Sequence, residues 1–218
     1  MNSQISKIIL LIFEPQDIYR PKFFFMKSIL VYCGANPGKD PIYSETAIRL
    51  GKEMVKRGMR LIYGGGSLGL MGTIANTVLA EGGEVVGIIP DFLDKMEVGH
   101  PNLTETHVVE TMHERKALME KLCDGIITMP GGFGSMDELF EILSWSQLGL
   151  HAKPIGLLNV KGFYDFMIQQ LDHMTKEGFL KQQNRDILHV SDSIDDLIKM
   201  METYVPQPAL KWLERDQI

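Results

Sequence analysis

The sequence predicts an α/β fold with a parallel sheet covered by helices on both faces, in a single domain of the 218-residue chain. Short runs rich in Ile, Val and Leu alternate with longer stretches of helical periodicity. The runs are almost continuously apolar, as strands buried on both faces are. Their spacing is regular, and no Pro/Ser-rich linker or internal repeat divides the chain. These observations indicate a doubly wound, Rossmann-like sheet.

The elements follow one another in strand–helix order. The predicted strands are residues 28–33, 60–63, 84–89, 106–109, 125–129 and 154–158, with a shorter candidate at 187–190. The predicted helices are residues 43–57, 72–80, 112–122, 136–148, 163–176 and 194–204. We expect the domain to span residues 26–205. Residues 1–25 are expected to be a poorly ordered extension or a non-native start, and residues 206–218 a C-terminal tail.

Composition and charge exclude several classes of protein. Hydrophobic residues make up 44% and charged residues 23% of the chain, as in ordinary globular proteins. A net charge of −6 argues against non-specific nucleic-acid binding. The apolar runs at 8–13 and 23–25 fall short of the ~20 residues that span a membrane, and no signal-peptide cleavage pattern follows them. The two cysteines, Cys33 and Cys123, suggest neither disulfides nor a metal site. We expect a cytoplasmic protein that binds no metal.

Ligands of such sheets bind beyond the carboxyl ends of the strands, so the loops there are the candidate site. The loop Gly34–Gly38 is small enough to approach a ligand, but it is equally typical of a simple turn. The loop Gly64–Gly72 leads into a helix, whose free N–H groups suit a phosphate, and Gly65 and Gly66 are its candidate contacts. It also fits the dinucleotide pattern G-x-G-x-x-G. Against NAD, the motif follows the second strand, and the next strand closes on Pro90.

A third loop, Pro130–Glu138, is a second glycine-rich turn between a strand and a helix. Two such turns in one sheet can hold a phosphate and the neighbouring sugar or base. From the residues alone, Ser135-x-x-Glu138 is best explained as a capping box with Ser135 as the N-cap. In a binding role, the helix dipole would favour the ionised form of Glu138. Such a carboxylate can stabilise a sugar cation or activate water, but it is a poor acid. Glu141 is expected to be solvated or paired along its helix.

The candidate cation is Arg115, in a segment that begins another helix through the capping box Thr111-x-x-Glu114. An arginine can grip a phosphate bidentately. From the residues alone, a solvated basic face is favoured, with Lys116 paired to Glu120 one turn later. His113 is expected to be exposed and without function.

The motif P-G-G-x-G-S-x-x-E at Pro130–Glu138 resembles the signature of the LONELY GUY family, the cytokinin riboside 5′-monophosphate phosphoribohydrolases. Residues 112–116 resemble that family's second motif, at a similar distance from the first. The resemblance extends from about Met26 to about Tyr204. It implies a homodimeric hydrolase that needs no cofactor and releases the base and ribose 5-phosphate from a nucleoside monophosphate.

The resemblance also implies site residues. Arg115 and Glu138 are the expected catalytic pair. The expected substrate contacts are Glu97, Lys116, Gly131, Gly132, Phe133, Gly134, Ser135, Met136, Asp137 and Ser144. Ser135 replaces the family's usual Thr and keeps the hydroxyl, whereas Ala35-Asn36 replaces two serines in the first loop.

Three alternatives remain open at this stage. The chain could be a non-catalytic nucleotide or cofactor carrier on the same fold, or an NAD-dependent oxidoreductase. It could also be a pyridoxal-phosphate lysine decarboxylase, a label that many members of the family carry. That last chemistry requires a Schiff-base lysine, which the motifs do not supply.

Overall fold

The computed structural model describes residues 25–96 and 99–206. Seven strands form one sheet: β1 (Ser28–Tyr32), β2 (Arg60–Tyr63), β3 (Val85–Pro90), β4 (Glu105–Val109), β5 (Gly125–Thr128), β6 (Ile155–Leu158) and β7 (Leu188–Ser191). Every neighbouring pair is parallel, in the order β4-β3-β2-β1-β5-β6-β7. The predicted doubly wound sheet is therefore confirmed, with each predicted strand in place to within one residue at either end.

Eight helices connect and cover the strands within the described residues. They are α1 (Pro41–Lys56), α2 (Gly69–Ala80), α3 (Asp91–Asp94), α4 (Met112–Leu122), α5 (Phe133–Gln147), α6 (Asp165–Lys176), α7 (Gln182–Arg185) and α8 (Ile194–Glu202). A short 3-10 turn, Val160–Gly162, follows β6. One apolar core lies between the sheet and α1, α2 and α8. A second core, on the other face, packs against α4, α5 and α6.

The order of the strands creates a switch point between β1 and β5. From β1 the chain adds β2, β3 and β4 on one side, and it then returns to place β5 on the other side of β1. Tyr32 and Thr128 are register partners at the carboxyl ends of these two strands. The loops that follow β1 and β5 diverge there, and a crevice opens between them, as in other doubly wound sheets.

Helix starts differ from the prediction more than the strands do. Helix α1 begins at Pro41 because the Asp40 side chain accepts a hydrogen bond from Ile42 N. Helices α2 and α5 each begin three residues before the predicted start, inside their glycine turns. The short helices α3 and α7 were not predicted. Glu97, the proposed extension up to residue 24 and the tail after residue 206 lie outside the described residues.

Within the described ranges, no helix is both long enough and apolar enough to cross a membrane. Cys33 and Cys123 are both buried and unpaired. This agrees with the prediction that the two cysteines form no disulfide.

Candidate active site

A cavity of about 500 Å³ lies at the switch point, a size typical of small-molecule sites. The loops after β1 and β5 form its centre. Helices α1, α2, α3 and α4 and the segment after β6 close its sides. Its lining consists of Cys33, Gly34, Ala35, Asn36, Pro37, Gly38, Tyr43, Leu70, Met71, Leu93, Arg115, Pro130, Gly131, Gly132, Phe133, Gly134, Ser135, Glu138 and Phe163.

The N-terminus of α5 points its first turn at this cavity. The N-cap is Gly132, which has no side chain to satisfy the first N–H groups of the helix. A Cβ on Gly132 or Gly134 would meet no atom within 4 Å, so both glycines border open space. Unpaired N–H groups and the positive end of the helix dipole favour an anion there. This turn is therefore the best-placed phosphate site in the cavity.

The structure overturns the predicted capping box of α5. Ser135 lies inside the first turn, not at the N-cap, and it is buried. A Cβ on Gly131 would lie 2.1 Å from the Ser135 Oγ, so the glycine makes room for this hydroxyl. Glu138 accepts a hydrogen bond from another helix instead of capping its own. The capping box of α4, in contrast, is confirmed. The Thr111 side chain accepts a hydrogen bond from Glu114 N, and the Glu114 side chain accepts one from Thr111 N.

Arg115 and Glu138 form a buried ion pair at the cavity wall. The Arg115 Nη1 donates to Glu138 Oε1 over 3.1 Å, and the two side chains are only 9% and 10% exposed. The guanidinium also donates through Nε to the Ile88 carbonyl at 3.1 Å and through Nη2 to the Gly64 carbonyl at 3.4 Å. The solvated basic face favoured from the residues alone is therefore wrong. These contacts, from three different elements, fix the plane of the guanidinium.

Burial raises the pKa of Glu138 to about 7, although Arg115 beside it acts to lower that pKa. The neighbouring Asp137 carboxylate raises it further, and Lys116 lowers it. Loss of hydration on burial therefore outweighs the neighbouring charges that favour the ionised form of this carboxyl. A buried carboxyl with a raised pKa, beside a specific charged partner in a cavity wall, is a candidate for acid–base chemistry.

Lys116 does not face the cavity. Its Nζ lies 3.1 Å from Asp137 Oδ2 and 2.8 Å from Glu141 Oε2, both on α5, and its side chain is 9% exposed. The predicted pair with Glu120 is wrong, since Glu120 pairs with Lys153. Glu141 also pairs across helices and not along its own. His113 is exposed, as expected.

The glycines of the turn after β2 pack against other parts of the chain and are not part of the cavity lining, although Leu70 and Met71 at the end of this turn are. The amides of Leu70 and Met71, in the first turn of α2, donate to the Gly34 carbonyl over 3.0 and 3.4 Å. The Gly65 carbonyl accepts from His100 N, and Gly66 forms an isolated antiparallel bridge with Gly99. The expected phosphate contacts Gly65 and Gly66 thus lie outside the cavity lining.

Half of the predicted site residues come together in the cavity: Arg115, Gly131, Gly132, Phe133, Gly134, Ser135 and Glu138. Met136 packs on the second apolar core, Asp137 pairs with Lys116, and Ser144 is exposed with its Oγ donating to the Phe140 carbonyl. Glu97 lies outside the described residues.

Sequence reasoning missed the apolar walls of the cavity. Four separate parts of the chain supply these walls, through Tyr43, Met71, Leu93 and Phe163. The rings of Tyr43 and Phe163 meet edge to face, with their centroids 5.8 Å apart. No local motif marks them. The signal that could have found them is their position just after, or facing, the carboxyl ends of the strands.

Comparison with known proteins identifies the family. Residues 71–201 match a family model described as "Possible lysine decarboxylase". A rice protein (Oryza sativa subsp. japonica) named probable cytokinin riboside 5′-monophosphate phosphoribohydrolase LOGL1 is 46% identical over 176 residues, 81% of this chain and 79% of its own. The chain belongs to the LONELY GUY family. The Arabidopsis thaliana enzyme of the same activity, LOG7, is 41% identical over 88% of this chain and 91% of its own length.

Solved structures share the fold of this LONELY GUY protein. A molybdenum cofactor binding protein from Rippkaea orientalis aligns with a TM-score of 0.62 at 19% identity, over 81% of this chain and 96% of its own. A molybdenum cofactor carrier protein from Chlamydomonas reinhardtii aligns with a TM-score of 0.57 at 19% identity, over 79% and 93%. At these identities the likeness shows the architecture alone.

Proposed function

We propose that this chain hydrolyses the N-glycosidic bond of adenine-type nucleoside 5′-monophosphates, releasing the base and ribose 5-phosphate. The observation that carries the proposal is the buried Arg115–Glu138 pair, 3.1 Å apart, in the wall of the cavity onto which the first turn of α5 opens. Curated relatives with this activity, at 41–46% identity, support it. Arg115 and Glu138, one from each of the two family motifs, thus meet at the cavity wall.

The phosphate binds at the N-terminus of α5. The amides of Phe133, Gly134 and Ser135 are the first N–H groups of that helix, and the two flanking glycines leave the approach open. Glu138 lies one turn further along the same helix. A nucleotide bound by its phosphate at the first turn therefore presents its ribose towards Glu138.

Glu138 acts as a carboxylate in this mechanism. It stabilises the positive charge that develops at C1′ as the base departs, and it positions the attacking water, whose hydroxyl ends on C1′ and whose proton ends on the departing base. Arg115 holds the carboxylate in place, and its contacts with Ile88 and Gly64 leave it poorly placed to clamp the phosphate as well. This assigns Arg115 to orientation and charge balance at Glu138.

The direct test is incubation of the purified protein with AMP and chromatographic detection of adenine. We expect Glu138→Ala to lower kcat by about 10²-fold or more with the fold intact. The control is Glu141→Ala, on the same helix but outside the cavity lining, which should retain more activity than Glu138→Ala. Wild-type protein that binds AMP without releasing adenine would instead indicate a carrier. Near wild-type turnover in the Glu138→Ala variant would rule out the assigned role.

The base that the enzyme prefers is the next question. AMP and N6-substituted adenosine monophosphates share the phosphate and ribose, so the apolar walls of the cavity, which include Tyr43, Met71, Leu93 and Phe163, are what can tell them apart. A side-by-side measurement of kcat/KM for AMP and isopentenyladenosine monophosphate decides between them. The lining contains no lysine within the described residues, which disfavours Schiff-base decarboxylation.

A homodimer is also part of the proposal. Phe133, Phe140 and Leu148 are 96%, 42% and 61% exposed and follow one side of α5, where Ser144 lies as well. An exposed apolar stripe of this kind suits a two-fold interface. We expect mass photometry to show a dimer and Leu148→Asp to shift it towards monomer; a wild-type monomer would contradict this. A cytoplasmic location is likewise proposed, from two unpaired buried cysteines.

A further inference from the structure

We propose that Lys116 is a positioning residue for Glu138, which ties α4 to α5 through Asp137 and Glu141 and does not contact the nucleotide. The inference rests on the proposed function and deepens the account of the same site. It assigns to Glu141 a part in the reaction that no motif indicates, as the second anchor of this lysine.

The geometry is that of a three-residue clamp beside the catalytic pair. Lys116 follows Arg115 directly on α4, while Asp137 and Glu141 flank Glu138 on α5. The Lys116 Nζ contacts Asp137 Oδ2 at 3.1 Å and Glu141 Oε2 at 2.8 Å. Since residues four apart share a face of a helix, one ammonium group bridges successive turns of α5. The segment that carries Glu138 is therefore held from both sides.

Burial makes this clamp stiff. The Lys116 side chain is 9% exposed and that of Glu141 is 25% exposed, so water competes little for either charge. Asp137 is 62% exposed and is the weaker anchor. A lysine ammonium that is buried and paired with two carboxylates cannot swing into the cavity without leaving both carboxylates unpaired. This is why we assign it to positioning and not to the substrate.

The clamp also sets the charge around Glu138. The charged and titratable groups that act on Glu138 or respond to it are Arg115 and Lys116 of α4, Asp137 of α5, and Tyr32 and Cys33 at the end of β1. Of these, Lys116 lowers the Glu138 pKa and Asp137 raises it. Removing the ammonium should therefore raise the pKa of Glu138 and favour its protonated form.

The experiment compares Lys116→Met with the wild type and with Lys116→Arg. For Lys116→Met we expect kcat to fall about tenfold while KM for AMP changes less than twofold, because positioning is lost and no contact is lost. The apparent pKa below which kcat/KM declines, the acidic limb of its pH profile, should rise by about half a pH unit. Lys116→Arg should restore most of kcat. Glu141→Gln should lower kcat about threefold, again with KM unchanged.

Lys153→Met is the matched control, because Lys153 is another poorly exposed lysine that pairs with a glutamate of α4, Glu120, away from the cavity. It should affect stability without moving the acidic limb. A readout independent of turnover is the pKa of Glu138, measured by carboxyl carbon NMR and assigned with Glu138→Gln. A pKa that rises in Lys116→Met but not in Lys153→Met supports the proposal.

Two results would overturn the inference. In one, KM rises tenfold in Lys116→Met with kcat unchanged, which makes the lysine a nucleotide contact. In the other, Lys116→Met and Lys153→Met behave alike and the Glu138 pKa stays fixed, which makes the clamp merely structural. Failure of the proposed function is distinct from both results, because wild-type protein would then release no adenine. The NMR titration would still show whether Lys116→Met raises the pKa of Glu138.

Discussion

The molecule contains two glycine-rich turns between a strand and a helix, and they do opposite things. In the turn after β2, the amides of Leu70 and Met71 both donate hydrogen bonds to the Gly34 carbonyl. A Cβ on Gly69 would lie 2.3 Å from the Ala35 backbone. In the turn after β5, Gly132 and Gly134 border open space in the cavity. The glycines of the first turn pack against the chain, whereas Gly132 and Gly134 of the second leave open space, where we propose that the phosphate binds.

The comparison teaches that a glycine-rich loop has two distinct physical uses. Glycine lets the backbone approach closely, and the group that approaches is either a ligand or another part of the chain. The packing turn still serves the chemistry, because its Gly64 carbonyl accepts a hydrogen bond from Arg115. It therefore supports the proposed catalytic pair from behind, while the other turn is the proposed phosphate site.

The largest effect should come from Gly72→Ala in the packing turn. The new Cβ would lie 1.9 Å from the Ser67 carbonyl oxygen, a backbone atom that cannot move aside alone. We expect the free energy of unfolding to fall by about 3 kcal/mol or more, at the upper end of overpacking costs. Urea denaturation measures it. A loss below about 1 kcal/mol, the lower end of that range, would mean that this turn is not the tightly packed one.

Gly64→Ala should separate packing from chemistry. Its Cβ would lie 2.0 Å from Arg115 Nη2, and the end of a side chain can move where backbone cannot. Because the displaced group orients Glu138, we expect kcat/KM for AMP to fall about 30-fold, with a much smaller loss of stability than in Gly72→Ala. Parallel kinetics and denaturation check this. Unchanged kinetics would show that the guanidinium position is unimportant.

Gly134→Ala in the open turn should do the reverse. Nothing lies within 4 Å of its Cβ, and alanine is a better helix former than glycine, so stability should stay unchanged or rise slightly. The methyl group enters the space assigned to the phosphate, and we expect KM for AMP to rise about tenfold, a cost of about 1.4 kcal/mol. If KM stays at its wild-type value, the phosphate binds elsewhere.

The inner strands were predictable because burial on both faces leaves a continuous apolar run in the sequence, as in Ile29–Val31 of β1. The starts of α2 and α5 were not predictable, because these helices begin within glycine turns that carry no periodic signal. The starts of α4 and α8 were predicted correctly. The Ser135-x-x-Glu138 spacing fits a capping box well. The capping box does not form because Gly132 is the N-cap residue and the Glu138 side chain accepts a hydrogen bond from Arg115 instead.

The candidate site was predictable only in part, for a related reason. The meeting of Arg115 with Glu138 came from the family resemblance and is confirmed, whereas the residues alone favoured a solvated helix face. Local sequence does not reveal that α4 lies on the same face of the sheet as α5, and this decides what Arg115 and Lys116 contact. The cavity walls at Tyr43 and Phe163 depend on the same long-range packing.

The smallest predicted effect is the pH dependence, and it tests whether the open turn and the buried acid work together. Glu138 has a folded-state pKa of about 7, raised by burial, and its active form in this mechanism is the carboxylate. Activity should therefore be full above that pKa and fall below it, with kcat/KM for AMP about threefold lower at about pH 6.5 than at about pH 7.5. The phosphate of AMP titrates near pH ~6, so AMP binding to the Glu138→Gln variant over the same range is the control. Activity that rises as the pH falls would make protonated Glu138 the acid that assists the departing base, and the carboxylate mechanism would be wrong.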